Sequence, residues 1–261
     1  MNWRVVALCV VGVSSLCPIA AAGAEKEQRA LIEEFLTAEP SYVQLKGETE
    51  FSSAFDYRKP AGDWGVPILV EYGITDRIEA EVEARYLSVP GVPGDGARNR
   101  GPGDVELGVH YALRPDVDKV AVTLGADVGL PTGDEARGLG SGKAGVEFFA
   151  IAGLKRGRAE LHVTGMLEVG EEVEPGLNAA AVYPHGDLRF TLEANVLPGA
   201  LKTGEEPDEE KGNEDLWVVV TPGLFHRPSP EIEYGIGVPL GLTRAAPEWG
   251  IIGRMTIEFE F

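Results

Sequence analysis

Successive side chains of a β-strand point to opposite faces, so a strand with one apolar and one wet face alternates with period two. From residue 41 onward this is the dominant pattern. Over 41–58, Val43, Leu45, Phe51, Phe55 and Tyr57 share one parity, while Gln44, Lys46, Glu48, Glu50, Ser52, Asp56 and Arg58 share the other. Over 77–88, Ile78, Ala80, Val82, Ala84 and Tyr86 oppose Arg77, Glu79, Glu81, Glu83 and Arg85. Over 104–114, Val105, Leu107, Val109, Tyr111 and Leu113 oppose Asp104, Glu106, His110 and Arg114. Segments at 66–74, 119–130, 144–154, 158–169, 177–183, 187–197, 215–226, 231–240 and 249–261 bring the predicted strands to twelve. Several are far longer than the ~5–6 residues usual in globular proteins. A helical signal is confined to 25–37, where Leu31, Ile32, Phe35 and Leu36 recur at helix-like spacing before Pro40.

Two architectures accept such a pattern. A soluble sandwich or lipocalin-like barrel turns the apolar parity inward, whereas a transmembrane barrel turns it outward to lipid. Three features favour the second. Connections alternate between short links, such as Thr75-Asp76 and Pro184 to Gly186, and longer ones at 58–65, 89–103, 131–143 and 198–214, the asymmetry of outer-membrane barrels. The chain ends Met255-Thr256-Ile257-Glu258-Phe259-Glu260-Phe261, an alternating strand closed by an aromatic residue. The strand count is even, which returns both ends to one side. The apolar parity holds no Asp, Glu, Lys or Arg, as expected where a lipid-facing charge costs up to ~2–4 kcal/mol. The predicted fold class is therefore all-β, a single antiparallel transmembrane β-barrel of about twelve strands with a short N-terminal helix.

The N-terminus supplies the compartment. Arg4, the apolar run from Val5 to Leu16 and the motif Ala22-Gly23-Ala24 form a secretory signal with a cut before Glu25. The apolar run is shorter than the ~20 residues of a spanning helix. Bulky Leu16 before Cys17 argues against a lipoprotein signal. Both cysteines, Cys9 and Cys17, lie in the signal, so the mature chain has neither disulfide nor thiolate chemistry. The expected organisation is a signal peptide over 1–24, a periplasmic segment over 25–40 and an outer-membrane barrel over 41–261. The net charge of −19 excludes a nucleic-acid partner, since a phosphate backbone requires a basic face. The mean hydropathy of −0.05 is ordinary because a lipid face and a water face average out.

The loops carry a resemblance. Gly101-Pro102-Gly103-Asp104 opens a strand, Leu130-Pro131-Thr132-Gly133-Asp134 precedes Gly138 and the turn Gly140-Ser141-Gly142, and Pro222-Gly223-Leu224 leads through Arg227-Pro228-Ser229-Pro230 to Gly235, Gly237, Val238 and Pro239. This order, over most of 41–261, resembles the family of outer-membrane barrel channels named after the MetA pathway of phenol degradation. The resemblance implies a channel or transporter and brings no catalytic residues. It does not identify a solute.

The charged parity supplies the candidate lumen residues Glu79, Glu81, Glu83, Arg85, Glu106, Glu160, Arg189, Glu193, Glu231, Glu233, Arg254 and Glu258. Pairs such as Glu83 with Arg85, or Arg189 with Glu193, either line a path or form ion-pair ladders across it. Twelve strands fall between a filled eight-stranded barrel and an open porin, so a narrow acidic lumen favouring cations is expected. A structural or adhesive barrel is the alternative, with the acidic loop 198–214 (Glu205, Glu206, Asp208, Glu209, Glu210) bridging lipopolysaccharide through divalent cations or simply solvated. A lipid hydrolase is less favoured, because the hydroxyl near His162 and Glu160 is that of Thr164 and it shares their wet parity. Two ligands on one strand make no metal site, so no metal and no cofactor are expected. Trp64 and Trp249 read as interfacial anchors. The expected partners are outer-membrane lipid and lipopolysaccharide, the barrel-assembly machinery through the strand ending in Phe261, and an unidentified small solute.

Overall fold

The computed structural model describes residues 31–91, 97–116, 120–170, 173–198 and 216–260. The signal peptide, the acidic loop and Phe261 lie outside the described residues.

Alternating sequence becomes an antiparallel meander. The strands are β1 (Glu48–Lys59), β2 (Asp63–Thr75), β3 (Ile78–Pro90), β4 (Arg98–Asp116), β5 (Val120–Leu130), β6 (Gly145–Arg156), β7 (Ala159–Val169), β8 (Val173–His185), β9 (Leu188–Leu197), β10 (Trp217–Ser229), β11 (Ile232–Gly237), β12 (Leu240–Gly241) and β13 (Trp249–Glu260). From β1 to β11 each strand pairs with its sequence neighbour, and β1 closes on β13 from Glu48↔Glu260 to Lys59↔Trp249. The short β11 and β12 both lie between β10 and β13 and act as one stave, interrupted at Val238-Pro239, where proline has no N–H for a ladder. The result is a closed barrel of twelve staves, and closure is what leaves a sheet without unpaired edges in a bilayer.

The distribution of side chains is inverted relative to a soluble protein. Val109, Leu192 and Ile236 are 55%, 55% and 56% exposed on the outer face, whereas Glu50, Glu79 and Glu193 are 0%, 1% and 0% exposed inside. Two aromatic belts bound the outer apolar band. Phe55, Tyr57, Trp64, Tyr86 and Trp249 cluster at the loop end, with ring centroids 6.0 Å apart in Phe55–Trp64 and Tyr57–Trp249. At the turn end the outer face presents Tyr72, Tyr111, Tyr183, Phe190, Tyr234 and Phe259. From Trp64 to Tyr72 the strand advances about 26 Å, or roughly 20 Å of depth at the usual tilt, near the height of an outer-membrane apolar band.

Three expectations require correction. The connection predicted over 58–65 is only the turn Pro60-Ala61-Gly62, because β1 and β2 run on into it. The first strand begins at Glu48 rather than at 41, because the chain turns at Gly47 (φ 84°), whose N–H donates to Gly73 O while Glu48 N donates to Leu45 O. The helix predicted over 25–37 is not seen in its described part. Residues 31–40 run as bends, and the N–H groups of Leu36, Thr37 and Ala38 go to a wall carboxylate instead of to helical carbonyls.

Candidate functional site

Residues 31–47 do not hang below the barrel. They thread through its lumen as a plug, and the predicted charged parity turns inward to receive them. Glu193 on β9 is the main anchor. Its carboxylate accepts the N–H groups of Leu36 (3.1 Å), Thr37 (2.6 Å) and Ala38 (3.1 Å) and the Thr37 hydroxyl (2.8 Å). Charge-assisted bonds of this kind are about twice as strong as neutral ones. Glu33 N donates to Glu233 on β11, and the Glu33 carboxylate pairs with Arg227. Glu34 pairs with Arg254 on β13 at 2.5 Å. Further along the plug, Ser41 N donates to His162 Nδ1 (3.1 Å), the Tyr42 hydroxyl donates to Glu160, and Gln44 donates from its N to Glu79 (2.5 Å) and from its Nε2 to Glu50 (2.9 Å).

The plug also buries an apolar face. Ile32, Phe35, Leu36 and Ala38 pack against Ala54, Ala180, Val182, Phe225 and Ile252, all inward on the wall. Wall glycines make room for it. A Cβ at Gly73, Gly153 or Gly237 would collide with Leu45 O, Ser41 Oγ and Leu36 Cδ1 respectively, and one at Gly223 would come within 2.8 Å of Leu36 Cδ1. The wall is shaped to this segment on opposite sides of the lumen.

Burial in the lumen raises the acids of the plug. The Glu33 carboxyl is pushed up to about 7 by desolvation, against the lowering effect of Arg227. Glu34 and Glu39 are also raised, burial being the largest cause for each. Burial and the Glu160 carboxylate hold the Tyr42 hydroxyl protonated.

The loop end is narrowed by a second insert. Residues 131–144 fold inward around the short 3-10 turn Glu135–Arg137, and Leu139 is fully buried beside Gly101 and Gly103. Asp104 ties the loop down. Its Oδ1 accepts Gly133 N (2.8 Å), and its Oδ2 accepts Ser141 N and the Ser141 hydroxyl (2.7 Å each). The Thr132 hydroxyl donates to Gly103 O, and Val105 N donates to Thr132 Oγ1. Gly-Pro-Gly-Asp, Pro-Thr-Gly-Asp and Gly-Ser-Gly are thus one structural unit. A cavity of about 350 Å³ under this loop is lined by Glu83, Arg85, Glu106 and Leu139. A larger one of about 580 Å³ opens at the turn end, lined by Tyr42, Gln44, Glu48, Glu71, Arg189, Arg227 and Glu258.

The predicted lumen residues separate into groups. Glu160, Glu193, Glu233 and Arg254 hold the plug directly. Glu79 does so too, and with Glu81 and Asp127 it also surrounds His110, at 3.1, 3.6 and 3.3 Å. Glu83 pairs with Arg85 as expected. Arg189 does not pair with Glu193. Its Nε donates to Leu31 O (2.8 Å) instead. Glu231 stands exposed in the turn before β11 and is not part of the buried lumen. His162 and Glu160, which raised the hydrolase reading, are occupied by the plug, with the His162 ring edge-on to Phe35 and Tyr42 at 5.0 and 5.4 Å. Sequence reading missed the inward apolar patch. Its signal was available where Phe149, Ile151, Val182 and Phe225 put apolar side chains on the wet parity.

An outer-membrane channel from Pseudomonas putida F1 superposes with a TM-score of 0.64 at 13% identity, covering 85% of this chain and 100% of that one. The NanC porin (TM-score 0.56, 11% identity, 81% and 100% covered) and the KdgM porin (0.55, 8%, 81% and 99%) share the same architecture. The chain has the fold of outer-membrane channels and porins. No family model and no curated protein matches its sequence.

Proposed function

We propose that the protein is an outer-membrane channel for passive passage of small solutes, held closed by its own N-terminal segment. The observation that carries this reading is the plug itself: a polar lumen whose glycines, carboxylates and apolar patch fit residues 31–47. A barrel serving only as a scaffold has no need of a shaped, separable insert.

Residues 1–24 serve as the export signal, and the turn end, where β1 begins and β13 ends, faces the periplasm. The strand ending in Phe261 engages the assembly machinery, and the outer belts meet lipid and lipopolysaccharide. The loop motifs support placing the chain with the MetA-named barrel channels. With the plug withdrawn, the wall acids Glu50, Glu71, Glu79, Glu81, Glu193 and Glu233 would line the path and favour cations over anions.

The test is a planar-bilayer recording of a chain lacking residues 31–47 under a potassium chloride gradient. A steady conductance with a cation-selective reversal potential is expected. An anion-selective potential overturns the selectivity. A silent, heat-modifiable barrel overturns the channel and leaves a structural role.

A further inference from the structure

Three carboxylates meet where the plug crosses the first two strands. Glu34 comes from the plug, Glu50 from β1 and Glu71 from β2, and one oxygen from each lies within 4.8 Å of the other two. They are 2%, 0% and 5% exposed. Arg254 engages Glu34, and Gln44 donates to Glu50 Oε2. Glu50 Oε1 and Glu71 Oε2 are buried and have no hydrogen-bond partner, and each of these carboxylates has an oxygen within the cluster. Three acids against one guanidinium leave an excess of negative charge in a place without bulk water, which is costly unless protons or a counter-ion supply what the protein does not.

The donor chemistry selects the ion. All three ligands are carboxylate oxygens, the set preferred by hard cations. Calcium takes oxygens at 2.3–2.6 Å, so ligands on opposite sides of one ion stand about 5 Å apart, which matches the spread of this cluster. The neighbouring group of Glu79, Glu81, Asp127 and His110 differs, because there an imidazole already stands among the acids.

We propose that Glu34, Glu50 and Glu71 bind a calcium-like divalent cation that latches the plug to the barrel wall. The site exists only when the plug is docked, since one ligand travels with it. By linkage, an ion that binds the docked form alone shifts the equilibrium toward it. The ion's effect on permeation rests on the channel reading above, whereas its binding and its hold on the plug do not.

The test uses the full chain folded in detergent at neutral pH and stripped with EDTA. Calorimetric titration with calcium chloride is expected to show saturable binding. Glu50→Gln and Glu71→Gln should each weaken it by at least about 10–100-fold, the loss typical of perturbing even an outer-shell partner. Both substitutions relieve like-charge repulsion, so neither should impair folding, and Glu168→Gln, exposed at the loop end of β7, should leave the affinity unchanged. Hydrogen exchange gives a second readout. Calcium should slow exchange of the Leu36–Ala38 amides in the parent chain and not in Glu71→Gln. Absence of binding, binding indifferent to these carboxylates, or exchange at 36–38 that ignores calcium overturns the proposal. Carboxylate-dependent binding with slowed exchange in a barrel that never conducts upholds the latch and rejects the channel reading.

Discussion

Two segments enter this barrel, one from each end, and they are held in different ways. The plug at residues 31–47 lies next to the chain terminus and is secured by many distant partners: Glu193, Glu233, Arg254, His162, Glu160 and Glu79. The loop at 131–144 is tethered at both ends by β5 and β6, and much of its fold rests on one nearby carboxylate, Asp104. Attachment at both ends keeps the loop at the mouth of the barrel. The plug joins the sheet at Gly47, and the placement of its described residues rests on the sum of their bonds to the wall. Bonds to charge can be loosened by pH, ions or mutation, whereas covalent connection cannot. The plug is therefore expected to release more readily than the loop.

The contrast can be broken from either side. Glu193→Ala removes the acceptor for three backbone N–H groups and a hydroxyl. It should cost roughly 3–5 kcal/mol of docking, the usual penalty for deleting one partner of a buried charged network. Hydrogen exchange at Leu36–Ala38 should accelerate accordingly while the melting of the barrel changes little. Gly237→Val places a side chain where Leu36 lies. An overpacking cost of about 1–3 kcal/mol is expected, read as faster proteolysis of the plug. Asp104→Ala frees Gly133 and Ser141 but leaves the loop tethered. It should cost about 1–2 kcal/mol, expose Arg137 and Lys143 to trypsin, and leave exchange in the plug unaltered.

The contrast also depends on pH. Glu33 titrates near 7 when docked, facing Arg227, Glu233 and Glu258, and near its ordinary 4.5 when released. Docked residues then bind the proton more tightly, so docking is strongest below about pH 4.5 and weakens as pH rises through about 7. Exchange at 36–38 should therefore speed up between pH 5 and 8 once scaled for intrinsic rates, and Glu33→Gln should flatten that dependence.

The barrel was legible because period two persists through every strand, and because the penalty for charge in lipid keeps one parity free of Asp, Glu, Lys and Arg. The plug was not. Leu31, Ile32, Phe35 and Leu36 fit a helical face, and residues 41–46 continue the alternation of β1 without a break, so local pattern favoured helix and strand. What decides their conformation is distant: the Glu193 carboxylate captures the N–H groups a helix needs, and Gly47 turns the chain off the sheet. The inward direction of Glu79, Glu160, Glu193, Glu233 and Arg254 followed from parity, but their partners lie on a segment more than thirty residues away in sequence. The apolar patch at Val182 and Phe225 left a trace as wet-parity positions that are not wet. The motif Pro-Thr-Gly-Asp was visible as a motif, and its role emerged only when Asp104 was seen to close it.

The central claim is that the plug closes the lumen, and a reversible crosslink tests it most directly. Residues 25–261 carry no cysteine, and a Cβ at position 153 would lie 3.0 Å from the Ser41 Cβ, slightly closer than the ~3.5–4.5 Å of a disulfide. In a chain with Ser41→Cys and Gly153→Cys, bilayer conductance should be absent under oxidising conditions. It should appear on adding reductant, when the crowded side chain at 153 is free to push the plug away. Equal conductance before and after reduction, with the crosslink verified by mass, would contradict the account.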